Sequence, residues 1–372
     1  MSEHSDQPHA PVPPNTALPV DHLLQPLLDD PDISAILVNG PRQIYIERRG
    51  NLEPLDLVFA DHNHLLDEIR RVLATAGQRL DERVPMLDTR LPDGARLTLV
   101  LPPLALNGPT FTLRKPPREA LTFAQLVRFG SLTEEMIAFL DACVRARLNI
   151  IVAGGMSSGK TTVMNLLTTL IPPEERIVTV EEVADLRPRH THLVALESQP
   201  AHVTGEGGVS MQELLRMATR LRPDRLIIGE MTGPEVLNVL RLRDQGHDGM
   251  LALIFARSAQ ECLERLELLV KMHHPNLPTS YLRLLVSTAI DIIVQVNRLE
   301  DGSRRLVQIT EVQGLNGDIY QLNHVFRFEQ TSIDARGKIV GTFSPNPVSP
   351  ALAHALLRQQ ITLPPVLLPP EL

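Results

Sequence analysis

The sequence predicts an α/β protein: a domain built on a parallel sheet, preceded by a smaller α+β domain. Three observations carry this. Leu148–Leu170, LNIIVAGGMSSGKTTVMNLLTTL, reads as a buried apolar strand, a loop with three glycines and a helix. After it, Arg176–Val180, Arg225–Gly229, Met250–Phe255 and Asp291–Arg298 read as strands separated by helix-like stretches. Such alternation builds a parallel sheet with both faces covered. Before it, short alternating runs and turn signals describe a meandering sheet.

In chain order, residues 1–20 are polar and proline-rich, the composition of a disordered tail. The N-terminal α+β domain is expected over 21–115. Asp21–Asp29 reads as a short helix with Leu23, Leu24, Leu27 and Leu28 on one face. Ile33–Asn39 and Gln43–Arg48 read as strands joined at Asn39-Gly40-Pro41. Asp61–Ala76 is an amphipathic helix with a Leu65, Ile69, Leu73 stripe. Met86–Leu101 and Thr110–Lys115 add strands. A linker (Pro116, Pro117, Arg118) and helices from Thr122 fill 116–147, and the α/β domain built on the parallel sheet is expected over 148–330. There Glu300-Asp301-Gly302-Ser303 reads as a hairpin turn, with Arg304–Val312 pairing back antiparallel. Residues 331–372 read as a proline-rich tail with one short helix at Ala351–Arg358.

Composition sets bounds. The chain has 372 residues, enough for two or three domains, and its 43% hydrophobic and 22% charged content is that of a globular protein. A net charge of −8 argues against a broad nucleic-acid-binding face. Cys143 and Cys262 read as reduced core thiols, and their spacing makes no zinc site. No signal peptide or membrane-length apolar run is visible, so a cytoplasmic location is expected, with membrane contact through partners.

Gly154, Gly159, Lys160 and Thr161 fit the phosphate-binding pattern G-x-x-x-x-G-K-[ST]. The four fixed positions match by chance in about one chain in a hundred of this length. The chemistry accounts for the spacing. The loop must curl so that consecutive backbone N–H groups face a phosphate, which glycines permit. The following helix adds its unpaired N–H groups and dipole. Lys160 would reach the β- and γ-phosphates, and the Thr161 hydroxyl would bind Mg²⁺. Gly155, Ser157, Ser158 and Thr162 complete the expected nucleotide cradle, so ATP and Mg²⁺ are the expected cofactors. Such sites also need an acidic residue at the end of a neighbouring strand. Leu226-Ile227-Ile228-Gly229-Glu230 has the form of a Walker B strand, and Ile177–Val180 ends in Glu181-Glu182. Glu181 and Glu230 are candidate catalytic carboxylates, and Glu182 and Glu230 candidate metal ligands. His247, flanked by glycines just before an expected strand, is a weaker candidate.

Together these residues resemble the type II/IV secretion ATPase superfamily, and within it the CpaF-type branch of tight-adherence pilus motors. The segments that carry the likeness are LVNG at Leu37–Gly40, RLPDGAR at Arg90–Arg96, Leu132–Ile150, RIVTVEEVADL at Arg176–Leu186, RLRPDRLIIGE at Arg220–Glu230, GHDG at Gly246–Gly249 and DGSRRLVQITEVQG at Asp301–Gly314. The resemblance implies a RecA-like P-loop motor domain behind the N-terminal domain, ATP between the two, and a homo-oligomeric ring of six. It implies an inner-membrane platform protein as partner and work in pilus assembly or protein secretion across the bacterial envelope. A nucleic-acid translocase on the same core is a third reading, disfavoured by the acidic net charge and the lack of a basic groove signature, so no nucleic-acid partner is expected. It places Glu181 and Glu182 in an acidic box, Glu230 in Walker B and His247 at the start of a histidine box. Arg90, Arg96 and Arg114 match N-terminal-domain arginines that approach the phosphates.

The departures from the family pattern are specific. Its loop is usually GGTGSGKTT, and here Met156 and Ser157 intervene. Its acidic box is usually Glu-Asp, and here the second carboxylate is Glu182. Its Walker B glutamate is usually followed by Val-Arg-Gly, and here by Met231-Thr232-Gly233. Its histidine box usually ends His-Ala-Asn, and here Phe255-Ala256-Arg257 stands in that place. The cradle survives, while cationic and polar groups that would sense the γ-phosphate do not. A second reading is therefore a nucleotide-binding but hydrolytically weak structural or regulatory paralogue.

Overall fold

The computed structural model describes residues 23–48, 51–81, 84–116, 121–199 and 207–371. The expected N-terminal tail and Pro117-Arg118 lie outside them. The chain divides into two compact units, Met1–Ala120 and Leu121–Leu372.

In the first unit, α1 (Gln25–Asp29) precedes β1 (Ile33–Asn39), β2 (Ile44–Arg48) and β3 (Asn51–Leu55). Then come α2 (His62–Thr75), β4 (Met86–Arg90), β5 (Arg96–Val100) and β6 (Thr110–Arg114). The strands form one sheet in the order β3-β2-β1-β6-β5-β4, and every neighbouring pair is antiparallel. Asp61 caps α2 by accepting the His64 N–H at 2.8 Å. The α2 stripe of Leu65, Ile69 and Leu73 packs in one core with Leu97, Leu99, Phe111 and Leu113 of the sheet. The other face of β4–β6 is polar apart from the Met86–Val100 pair at one end.

The second unit opens with α3 (Phe123–Arg128) and α4 (Glu134–Arg145). It continues through β7 (Ile150–Gly154), α5 (Lys160–Thr168), β8 (Ile177–Glu181), β9 (Leu193–Glu197), α6 (Met211–Ala218), β10 (Arg225–Glu230), α7 (Glu235–Leu240) and β11 (Leu251–Phe255). It ends with α8 (Ala259–His273), α9 (Thr279–Ala289), β12 (Ile292–Arg298), β13 (Arg304–Asn316), β14 (Ile319–Ile333), β15 (Ile339–Pro345) and α10 (Pro350–Arg358). The sheet order is β15-β14-β13-β12-β7-β11-β10-β8-β9. From β12 to β9 all pairs are parallel, and β13, β14 and β15 add on antiparallel. Alternate residues of β7 serve two cores: Ile151 and Ala153 face that of α6–α9, and Ile150 and Val152 face that of α4 and α5. A strand buried on both faces cannot alternate polar with apolar, which is why β7 reads as an unbroken apolar run.

Three features depart from the sequence reading. Strands β3 and β9 are additional. The segment expected as a tail from residue 331 begins inside β14 and carries β15, which pairs with β14 from Phe326↔Pro345 to Ile333↔Ile339. Glu311 on β13 fastens the start of α10 and the middle of β14, accepting the Ser349 N–H at 2.9 Å, the Ser349 hydroxyl, and Asn323 Nδ2 at 3.1 Å. Finally, β10 is not the immediate neighbour of β7, because β11 lies between them.

Candidate functional site

The loop after β7 is shaped by its residue types. Gly154 is held closely: a Cβ there would lie 2.3 Å from Val296 O and 2.5 Å from Ser158 Oγ. Gly159, at φ +102°, provides the left-handed turn that starts α5. Ser157 is also left-handed, at φ 56°, a conformation that disfavours any residue with a Cβ. Met156 is exposed at the loop's apex, while Ser158 is buried with its hydroxyl against Gly154. Thr161 and Thr162 stand half-buried in the first turn of α5, where helix N–H groups lack intrahelical acceptors.

Lys160 is the centre of the site. Although 7% exposed, its ammonium donates to Gly154 O at 3.1 Å and Gly155 O at 3.0 Å. It lies 3.7 Å from Glu230 Oε2 and 5.4 Å from the centre of the Phe255 ring. The parallel register explains the convergence. Phe255 pairs with Gly154, so the C-terminal ends of β7 and β11 are level, and Glu230 ends β10 on the far side of β11.

Glu181 ends β8 nearby and is 2% exposed. Its Oε2 accepts the N–H groups of Asp185 and Leu186 at 2.8 and 2.9 Å, so it also organises the loop after its own strand. Gly229 makes room for it, since a Cβ at Gly229 would lie 3.0 Å from Glu181 Cγ and 3.2 Å from its Cα. Glu182 is exposed, and Thr232 Oγ1 stands 3.5 Å from its Oε2. The loop after β10 is set by Glu235, whose Oε1 accepts the N–H groups of Thr232 and Gly233, each at 2.8 Å.

His247 does not join this group. Leu251 pairs with Ile150, so His247 precedes the opposite, N-terminal edge of the strands. A five-residue strand separates the two edges by roughly 13 Å. The arginines of the first unit do come together with one another. Arg90 pairs with Arg96 across β4–β5, and Arg96 with Arg114 across β5–β6, making a row on the polar face. Arg96 is held by Asp88 through two hydrogen bonds of 2.9 and 2.5 Å, which keep the Asp88 carboxyl below its usual pKa.

Two site residues escaped the sequence reading. Gln295 on β12, 1% exposed, donates to Ala256 O at 3.0 Å and ties β12 to the turn after Phe255. A glutamine inside the apolar run IIVQV was the available signal. Arg304 on β13 donates from Nε to Ser157 O at 3.0 Å. Nothing local to the hairpin sequence distinguishes it from Arg305 beside it.

The topology and the loop define a RecA-like P-loop domain. A family model described as "Type II/IV secretion system protein" matches residues 19–354, and the chain belongs to that family. The type IV secretion system protein PtlH of Bordetella pertussis is 36% identical over 327 residues, covering 78% of this chain and 94% of its own length. VirB11 of Brucella suis, also named a type IV secretion system protein, is 31% identical over 323 residues, covering 78% and 87%. In fold, the chain is similar to the pilus retraction motor PilT with bound ADP, with a TM-score of 0.59 at 16% identity over 93% of this chain and 88% of that one.

Proposed function

We propose that this protein binds ATP with Mg²⁺ at the loop Gly154–Thr162 and hydrolyses it as a ring-forming motor, a hexamer, for pilus assembly or protein secretion. One observation carries the reading: the buried Lys160 ammonium, held on loop carbonyls and 3.7 Å from Glu230. An ammonium so placed is poised to leave its carbonyls for the phosphates of a nucleotide. Family membership supports the same reading.

The donor set fits Mg²⁺. Among the described residues no three His, Cys, Asp or Glu side chains cluster as a metal cage. Mg²⁺ uses one or two protein groups and completes its shell with phosphates and water. Thr161 and the carboxylates Glu230 and Glu182 would hold it, and bound there it would neutralise phosphate charge. Glu230, with Glu181 behind it, would orient and deprotonate the attacking water. Arg90, Arg96 and Arg114 would supply charge that stabilises the transition state. In this proposal the CpaF-type branch is the particular lineage, an inner-membrane platform protein is the partner, and nucleic acid is not. The chain would work at the cytoplasmic face of the membrane through that partner. Among the described residues no helix is long and apolar enough to cross a membrane.

Lys160→Ala is expected to abolish MgATP binding by calorimetry, and Glu230→Gln to keep binding and lose turnover. Equal affinity in wild type and Lys160→Ala would refute the site. Sedimentation with an ATP analogue and Mg²⁺ should give a ring, because ligand that binds only the assembled state drives assembly by mass action. A monomer at high concentration would refute the ring.

One observation favours a second reading, of a slow or inactive paralogue. At the end of β11 it is the Phe255 ring, and no polar side chain, that stands 5.4 Å from the Lys160 ammonium. A steady-state ATPase assay beside the binding measurement separates the two.

A further inference from the structure

A P-loop works only when its backbone is already curled before the anion arrives. This loop carries an obstacle to that. Ser157 stands left-handed at φ 56°, where a residue with a Cβ is disfavoured by about 1–2 kcal/mol. Such a conformation persists only when surrounding structure over-determines it.

The surrounding structure here is Arg304. Its Nε donates to Ser157 O at 3.0 Å, a charge-assisted bond to the carbonyl of the strained residue itself. Its Cδ lies 3.4 Å from where a Gly159 Cβ would stand, so the aliphatic stem passes over the other left-handed position of the loop.

Arg304 is fixed from both sides. Its own carbonyl accepts the Ser131 hydroxyl at 2.7 Å, and Leu306 N–H donates to Ser131 O at 2.9 Å, anchoring the start of β13 to the turn between α3 and α4. The turn before it is locked to the C-terminal strand. Asp301 accepts the Ile339 N–H at 3.0 Å and the Ser303 N–H at 2.9 Å, and its carbonyl accepts Lys338 Nζ at 3.1 Å. Arg305 adds a 2.6 Å bond to Ile339 O. A continuous hydrogen-bonded framework therefore runs from β15 through the β12–β13 turn to the phosphate loop.

We propose that Arg304 is a positioning residue that holds the loop in its anion-binding conformation through the Ser157 carbonyl, offsetting a side chain at a left-handed position. It acts through Ser157 rather than on the nucleotide. The proposal rests on the P-loop reading above. It makes Arg304 and Ser157 one energetic unit. With glycine at 157 the loop has no strain to offset, and Arg304 matters less.

The test is a double-mutant cycle on the full chain, reading MgADP affinity by calorimetry and KM against kcat for ATP. Arg304→Ala should weaken MgADP binding about tenfold and raise KM, with kcat changed less than threefold. Arg304→Lys should recover part of the loss, and Ser157→Gly in the Arg304→Ala background should recover most of it. A general loss of folding would lower the melting temperature of Arg304→Ala and would not be rescued by a glycine in the loop. Unchanged affinity in Arg304→Ala, or a loss that Ser157→Gly leaves intact, overturns the proposal. Lys160→Ala is the control: if it binds MgADP like the wild type, the P-loop reading has failed instead.

Discussion

The Phe255 ring lies 5.4 Å from the Lys160 ammonium and 5.4 Å from the Arg265 guanidinium carbon, at the end of β11, the strand between β7 and β10. A ring at that position attracts cations through its face. It offers no hydrogen bond to a phosphate oxygen or a water.

The first prediction comes from that contact. Thr232 and Phe255 stand where the family pattern has a cation and a histidine, and one preorganised charge-stabilising group is typically worth about 10²–10³ in turnover. The double variant Thr232→Arg, Phe255→His should raise kcat at least about tenfold while changing MgATP affinity less than about threefold. Either substitution alone should do little, because groups acting as a unit are not additive. Brisk wild-type turnover that the double variant leaves unchanged would mean that both residues are neutral.

Gly229→Ala tests the fit of the two acidic strands. The added methyl would stand 3.0 Å from Glu181 Cγ and 3.2 Å from its Cα, and the backbone atom cannot step aside cheaply. Overpacking of this kind costs about 1–3 kcal/mol. The variant should melt at a lower temperature and lose turnover as Glu181 is displaced; wild-type stability and rate would mean that the strands can part.

Glu175→Ala tests a buried ion pair. The Arg225 side chain is fully buried, with Nε 2.5 Å from Glu175 Oε2 and Nη2 2.7 Å from Val144 O. Burial pushes its pKa down, and Glu175 opposes that shift. Removing the carboxylate leaves a charge without its counterion, which typically costs about 3–5 kcal/mol. The midpoint of urea unfolding should fall accordingly. An unchanged midpoint would show that the carbonyls suffice.

Asp301 gives a pH dependence with a definite sign. Hydrogen bonds from the Ser303 side chain and the Ile339 N–H lower its pKa from 3.8 to about 2. A carboxyl whose folded pKa is depressed stabilises the fold above its unfolded value and loses that contribution as pH falls through the folded one. The contribution should therefore disappear between about pH 4 and about pH 2. The protection factor of the Ile339 amide, its exchange corrected for the intrinsic pH dependence of amides, should fall through that window in wild type. In Asp301→Asn the protection factor should be lower at neutral pH and nearly constant across the window; identical protection profiles would exclude the clasp.

Local pattern was enough for the features whose signal lies within a few residues. The strand, loop and helix at Ile150–Thr168 were legible because an apolar run, glycines at Gly154, Gly155 and Gly159, and a helix-forming stretch follow one another within a few residues. The strands β7, β8, β10, β11 and β12 were legible because burial on both faces leaves continuous apolar runs. The expected α2 stripe of Leu65, Ile69 and Leu73 is buried as its spacing indicated.

What local pattern could not supply is adjacency, since strand order depends on packing between distant segments. The sequence contains Glu230 and Phe255 but does not say that β11 passes between β7 and β10, bringing Phe255 against Lys160. It contains His247 near an expected strand but does not say at which end of the sheet that residue falls. Parallel register puts it at the edge away from the loop. The stretch from residue 331 reads as a tail because proline and glycine interrupt it, yet β15 is secured by pairing with β14 and by Asp301, 38 positions before Ile339. Arg304 is the extreme case. Its partner Ser157 is 147 positions away, and only folding of the β12–β13 hairpin against the phosphate loop joins them.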